Sequence, residues 1–200
     1  SGHTEKVAAF LVDFAQKNGA EAYIDEAGNV AMKKGATPGY EDRETTVLQA
    51  HMDMVPQKTK DSTHNFETDP LDVYIDGDWV KARNTTLGAD DGMGVAAAMA
   101  IIEDDNVAHG PLEVLITRDE ETGLDGAFGL KAGELDAKYL LNLDSEEDGE
   151  ITIGCAGGMD ILCQMEYQEL NVEPANMLYY EIVIKGLLGG HSGIEINKGR

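Results

Sequence analysis

An α/β domain, with a mixed or parallel sheet flanked by helices, is the fold this sequence predicts, and three observations carry it. Between residues 45 and 143 short apolar strands alternate with helical stretches, in the order strand, helix, strand, helix, strand. One of those helices is rich in alanine, whose small side chain suits close packing on a sheet. Polar, acid-rich segments follow the apolar strands instead of interrupting them.

Val7, Phe10, Leu11 and Phe14 recur at helical spacing, with Lys6, Asp13 and Lys17 opposite them and Gly19 as a stop. A hairpin is expected next, from residues 21–25 through Ala27-Gly28-Asn29 to residues 30–33. Residues 45–52 read as a buried strand with a polar end. Residues 53–70, rich in Asp, Thr, Lys and Pro, read as a long loop of the kind that is usually functional. A second hairpin is expected from 73–75 and 79–82 around Asp76-Gly77-Asp78. Residues 92–103 form the alanine-rich helix, and 112–117 and 139–143 are apolar strands separated by a short helical segment near 124–130. After Gly157-Gly158 the pattern changes: 159–170 and 178–186 read as two longer strands with no helix between them. The expected organisation is a first domain over 1–157 and the beginning of a second, α+β domain over 158–200, at most ~45 residues and too few for a core of its own.

The formal charge of −23 disfavours nucleic acid and anionic lipid as partners. It leaves open whether the acids form a solvated surface or are partly neutralised by bound cations. No run is apolar and long enough to span a bilayer, and no basic stretch followed by an apolar one opens the chain. Ser1-Gly2-His3 at the start, without an initiator methionine, reads as a processed or excised piece. The two cysteines, Cys155 and Cys163, sit in strand-like apolar segments and are expected to be free, buried thiols, which fits a reducing compartment.

Four short clusters stand at the ends of expected elements. In His51-Met52-Asp53 the strand alternation turns His51 and Asp53 to one side, and a metal-binding histidine characteristically gives its second N–H to an acid or carbonyl. A plain strand-end ion pair would look the same. Gly88-Ala89-Asp90-Asp91-Gly92 opens the alanine-rich helix. Two acids there also complement the helix dipole, but the flanking glycines imply a close backbone approach. An EF-hand is excluded, because the alternating acids and closing glutamate are missing. Asp119-Glu120-Glu121 follows the 112–117 strand, where three consecutive acids repel one another unless solvated or holding a cation. Asp144 ends the 139–143 strand, where an acid is also a common cap. Ligands of open α/β sheets gather beyond the carboxyl ends of strands, so the four together form a constellation that none makes alone.

These motifs, with Val55-Pro56 after the first, Thr122-Gly123 after the third and Leu143-Asp144-Ser145 as the fourth, resemble the dinuclear zinc peptidase family. That family includes carboxypeptidases, tripeptidases, aminoacylases and desuccinylases. The runs HMDMVPQK, TTLGADDGMG, DEETGLDGAFGL and LNLDSEEDGEITIGCAGG are similar to its bacterial aminoacyl-histidine (Xaa-His) dipeptidase branch, and the likeness runs from residue 1 to 200.

The resemblance implies a zinc-peptidase-like catalytic domain over 1–157 and the start of a lid and dimerisation domain over 158–200. His51 would bind one zinc, Asp90 would bridge both, Glu121 would bind the second and Asp144 would complete the first. Asp53 would clamp His51. Glu120 would be the general base, taking a proton from the zinc-bound water and passing it to the leaving amine. His191 would contact substrate, across a homodimer from the partner subunit. A cis peptide is implied at Asp90-Asp91. Three carboxylates and a bridging hydroxide would balance two zincs, with cobalt or manganese as alternative metals.

The resemblance also implies a terminal histidine ligand on the second zinc; among the five histidines His3, His64 and His109 fit exposed or capping roles, so this ligand is expected beyond Arg200. This chain alone is then expected to bind one zinc better than two and to be weakly active or inactive. Asn84 stands where relatives often have glycine, and tolerates a left-handed backbone. The expected function is cytoplasmic hydrolysis of dipeptides, Xaa-His preferred. Alternatives are an aminoacylase or tripeptidase on the same scaffold, or a non-catalytic binding or dimerisation relative. The intact Glu120 argues against the last.

Overall fold

Ala8, Leu11 and Ala15 form the buried stripe of the first helix, α1 (Glu5–Lys17). Phe10, expected on that stripe, is 55% exposed. The two alanines flanking Leu11 let the helix lie close to the sheet, which leaves the larger ring at the margin. The computed structural model describes residues 1–145 and 149–155, and beyond these 157, 159, 161–168, 171, 177, 178, 180–186, 188 and 196–199. The chain divides into two compact units, Ser1–Ile151 and Thr152–Arg200.

In the first unit a five-stranded sheet is formed by β1 (Glu21–Ile24), β2 (Val30–Lys34), β3 (Thr46–His51), β6 (Leu112–Thr117) and β7 (Tyr139–Asn142). Their spatial order is β1-β2-β6-β3-β7. The hairpin side is antiparallel, whereas β3 pairs parallel with both β6 and β7, so the sheet is mixed. A separate two-stranded hairpin joins β4 (Val73–Asp76) to β5 (Trp79–Ala82). The second long helix, α2 (Ala89–Glu103), follows it, and α3 (Asp125–Gly129) lies between β6 and β7.

Alternation decides which residues make the core. Val30 and Met32 of β2, Leu48 and Ala50 of β3, and Leu112, Val114 and Ile116 of β6 point to one face. There they pack with Ala8, Leu11 and Ala15 of α1 and Ala98 and Ile102 of α2. β6, antiparallel to β2 and parallel to β3, is buried at every position, as expected of a central strand covered on both faces. The last turn of α2 has no basic residue of its own, and Lys34 reaches from β2 to donate to the Ile102 carbonyl at 2.6 Å.

The opposite face carries a polar tie. Glu113 and Lys33 are cross-strand partners and meet at 2.9 Å, with the Glu113 side chain only 4% exposed. Glu113 also accepts the backbone N–H groups of Asp136 and Ala137, at 3.0 and 2.9 Å, which fixes the approach to β7. Hydrogen bonds to Glu113 and Asp136 raise the Lys33 ammonium above its ordinary pKa.

Two expectations for the second unit need correction. None of the described residues in 159–170 or 178–186 is in a strand, and the described part of that unit holds one short 3-10 turn, Ile196–Lys198. Its apolar side chains are exposed, Ile153 and Ile182 almost completely, so the strand-like pattern has no partner to take up its backbone groups among the described residues. Cys155 and Cys163 are free, as expected, but exposed where burial was expected.

Replacing Glu113 by alanine would leave the Asp136 and Ala137 amides without their acceptor. The expected loss is about 1–3 kcal/mol of stability, read as a lowered midpoint of denaturant unfolding. An unchanged midpoint contradicts the assignment.

Candidate metal centre

Parallel pairing brings the carboxyl ends of β3, β6 and β7 to one edge of the sheet. β3 ends at His51, β6 runs into the Glu120–Thr122 turn, and β7 runs into Asp144. The amino end of α2 arrives at the same edge with Asp90 and Asp91, joined by a cis peptide, as the resemblance implied. His51, Asp90 and Asp144 each offer a donor atom, and the three atoms lie within 4.8 Å of one another. The imidazole Nε2 of His51 stands 3.0 Å from Asp90 Oδ1, 3.7 Å from Asp144 Oδ2 and 4.0 Å from Glu120 Oε2.

The other imidazole nitrogen tests whether these donors fit a cation. Nδ1 of His51 lies 2.9 Å from the Asp53 carbonyl oxygen, which can only accept, so Nδ1 carries the proton. In the neutral ring Nε2 then presents a lone pair to the lone pairs of Asp90. Only a proton or a metal ion between them makes that contact attractive. In the protonated case burial opposes the charge, but hydrogen bonds to Asp53 and Asp90 and the Asp144 charge prevail and raise the imidazole to about 10. Burial and then the charge of Asp90 push the carboxyls of Asp144 and Glu121 upward. One imidazole with acids crowded around its free nitrogen fits a divalent ion such as zinc, which takes nitrogen and carboxylate ligands together.

A match to the description "Peptidase family M20/M25/M40" spans residues 47–190. The chain belongs to this peptidase family. It is 52% identical over 199 residues to the cytosol non-specific dipeptidase of Escherichia coli K12, which covers all of this chain and 41% of that protein. Among solved structures it resembles the aminoacylhistidine dipeptidase of Vibrio alginolyticus, with a TM-score of 0.72 and 52% identity over 74% of this chain and 30% of that one. A Staphylococcus aureus tripeptidase shares the fold, with a TM-score of 0.62 at 24% identity over 74% of this chain and 40% of that one. The chain thus spans less than half the length of these relatives.

In this M20/M25/M40 chain each site residue named from the sequence can be placed, save one. His51, Asp90 and Asp144 come together, whereas Glu121 does not share that group, although the charge of Asp90 adds to burial in raising its carboxyl. Asp53 clamps His51 through its carbonyl, with its carboxylate 3.4 Å from the same nitrogen. That carboxylate also accepts the N–H of Glu120 at 3.0 Å, the N–H of Glu121 at 3.4 Å and the Ser1 hydroxyl at 2.7 Å. Burial opposes its ionisation, yet the hydrogen bonds from His51, Ser1 and Glu120 hold it well below the usual carboxylate range. His191 lies outside the described residues. Among the described residues no other histidine joins the group. A groove of about 1050 Å3, lined by Ser1, His3, His64 and Phe66 among others, touches this centre only at Asp53 and contains none of the clustered donors.

Three residues were given no role of their own in the sequence reading. Asp119, buried and with a left-handed backbone, receives the Arg118 guanidinium at 2.8 and 2.6 Å and the Gly2 amide at 2.5 Å. Asp91 and Gly94 form the second surprise. Regular helical geometry in α2 begins after Asp91, which caps it by accepting the Gly94 N–H at 3.0 Å. A Cβ on Gly94 would lie 2.3 Å from that same Asp91 oxygen. The glycine that permits close approach here is therefore Gly94, with Gly88 beside Met54, whereas Gly92 has open space around it. An acid three residues before a glycine at a helix start is the signal that could have shown this. Asn84 does adopt the left-handed conformation it tolerates, with φ 61°.

Gly94→Ala sets two effects against each other. Helix propensity alone would stabilise by about 1 kcal/mol, but the clash with the capping carboxylate is expected to win and destabilise by about 1–3 kcal/mol. Gly92→Ala, which meets nothing, should be neutral or stabilising. Thermal unfolding of the two variants side by side decides it, and equal behaviour would refute the steric reading.

Proposed function

We propose that this chain carries catalytic machinery of a zinc-dependent dipeptidase that hydrolyses the peptide bond of short substrates, Xaa-His dipeptides preferred. The observation that carries the reading is the convergence of His51, Asp90 and Asp144 on one point, with Nε2 of His51 facing carboxylate oxygens. The 52% identity to two proteins named as dipeptidases supports that substrate class over an aminoacylase or tripeptidase.

In this reading residues 1–157 belong to the catalytic domain and 158–200 to a lid through which two copies pair, with His191 reaching substrate. A cytosolic location follows the Escherichia coli relative. His51, Asp90 and Asp144 would hold one zinc, and Asp90 with Glu121 would hold a second, with cobalt or manganese as substitutes. Zinc, when bound, supplies a Lewis acid for the scissile carbonyl and makes water more acidic. The protein's own part is proton management and positioning. Asp53 fixes the His51 ring through Nδ1 and the Glu120 and Glu121 backbone through their amides. Glu120 then accepts a proton from water and delivers it to the leaving amine, a role supported by its 35% exposed side chain and its carboxylate 4.0 Å from Nε2 of His51.

Turnover of a dipeptide panel by the zinc-loaded full-length protein tests the base. Glu120→Gln should lower kcat by about 100- to 10,000-fold while zinc content stays as in the wild type. Equal turnover, or zinc lost together with turnover, would falsify the role of Glu120.

Proton linkage provides a second measurement. With its pKa raised from 6.5 to about 10, His51 contributes stability to the metal-free protein that is complete below pH 6.5 and is lost as pH rises through about 10. Zinc must displace that proton. Calorimetry at pH 8 in buffers of different ionisation enthalpy should show release of about one proton per zinc from this group, fading above pH 10. Buffer-independent heats at pH 8 would contradict it.

A further inference from the structure

Strand geometry leaves one backbone group of the centre without a strand partner. Odd-numbered residues of β3 face β7, as the hydrogen bond from the Leu143 amide to the Gln49 carbonyl at 2.8 Å shows, and even-numbered ones face β6, as the bond from the Met52 amide to Thr117 shows. The β3–β7 register stops at Gln49 opposite Asn142. The N–H of His51 points to the β7 side one step later, where β7 has already turned away towards Asp144. A buried N–H in that position needs an acceptor. It finds the carboxylate of Asp91, whose Oδ2 lies 3.1 Å from it, while Oδ1 of the same carboxylate caps α2 at the Gly94 N–H. Asp91 is 3% exposed, so both bonds are screened from water.

We infer that Asp91 is a positioning residue of the metal centre: its carboxylate stands in for the missing β7 carbonyl and locks the end of β3 to the start of α2. The lock joins the two segments that carry His51 and Asp90, and so fixes the spacing of these two donors, whose atoms stand 3.0 Å apart. Gly94 belongs to the device, since any larger residue would occupy the place of the carboxylate. The inference rests on the metal-centre reading above, but the strand-to-helix lock itself does not require a metal.

Asp91→Ala removes both bonds. Asp91→Asn keeps the shape but turns one oxygen into a donor facing an N–H, so it carries the test should the alanine variant fail to fold. Cobalt titration of the folded protein should show affinity weakened by about 10- to 100-fold for alanine, less for asparagine, with a changed visible spectrum in both. Hydrogen exchange should show protection lost at the His51 amide and kept at Ala50, whose amide faces β6. A variant that melts lower yet binds cobalt with wild-type affinity and spectrum makes Asp91 a helix cap only, and overturns the inference. Should the wild type itself take up no cobalt, the metal-centre reading fails. Exchange at His51 then decides the lock alone: lost protection supports it, and unchanged protection overturns it.

Discussion

Parallel pairing of β3 with β6 on one side and β7 on the other is the constraint from which the rest of the site follows. Parallel neighbours end at the same edge, so three loops that are far apart in sequence leave the sheet side by side. Each of them begins with a group that can bind a cation or a proton: His51 and Asp53, Glu120 and Glu121, and Asp144. The antiparallel half of the sheet, β1 and β2, sends its ends elsewhere and contributes packing, with Val30 and Met32 in the core. Reversing β3 alone would scatter the donors while leaving much of the apolar pattern intact.

That edge carries a dense negative charge, and the protein handles its acids in two ways. Asp53 and Asp91 are buried and each accepts two backbone N–H groups, so their oxygens are committed to holding the chain. Asp90 and Asp144 are more exposed and turn towards the single nitrogen Nε2 of His51. Buried carboxylates without such donors would protonate or destabilise the fold. The partition also explains why the turn bearing Glu120 and Glu121 can sit beside like charges: its backbone is held by Asp53, not by its own side chains.

Most of this architecture was readable in the sequence because its signals are periodic or terminal. The apolar runs at 112–117 and 45–52, the alanine-rich helix and the two hairpins emerge where expected, within a residue or a few at each end. The clusters at the strand ends were legible for the same reason, since an acid directly after an apolar run must leave the sheet at its edge. What the pattern did not show depends on pairing across distance. Nothing local says that Glu113 will hold the amides of Asp136 and Ala137, or that Asp91 will reach the amide of His51. Nor do the described residues of an apolar run such as 178–186 form a strand, since among the described residues none pairs with them to receive their hydrogen bonds. Phe10 shows the limit within one helix, where spacing identified the apolar side but not which residue faces the sheet.

Accounting for lone pairs separates structure from chemistry at this site more sharply than burial or charge does. His51 is almost completely buried and Asp90 is half exposed, yet they meet at 3.0 Å and belong to one group. Asp53 and Asp91 are buried like His51 and both touch it, Asp53 at Nδ1 and Asp91 at the backbone N–H, so burial and contact alone would not tell them from metal ligands. Their oxygens, however, already receive backbone donors, and a carboxylate that gave those up to a cation would release the strand end or the helix start that it holds. Asp90 and Asp144 have no such obligation among the described residues, and their oxygens are directed at the one nitrogen whose proton a metal can replace. The donors left uncommitted by the fold are therefore those that converge, and on this convergence at the edge of an ordinary α/β sheet the proposed metal centre rests.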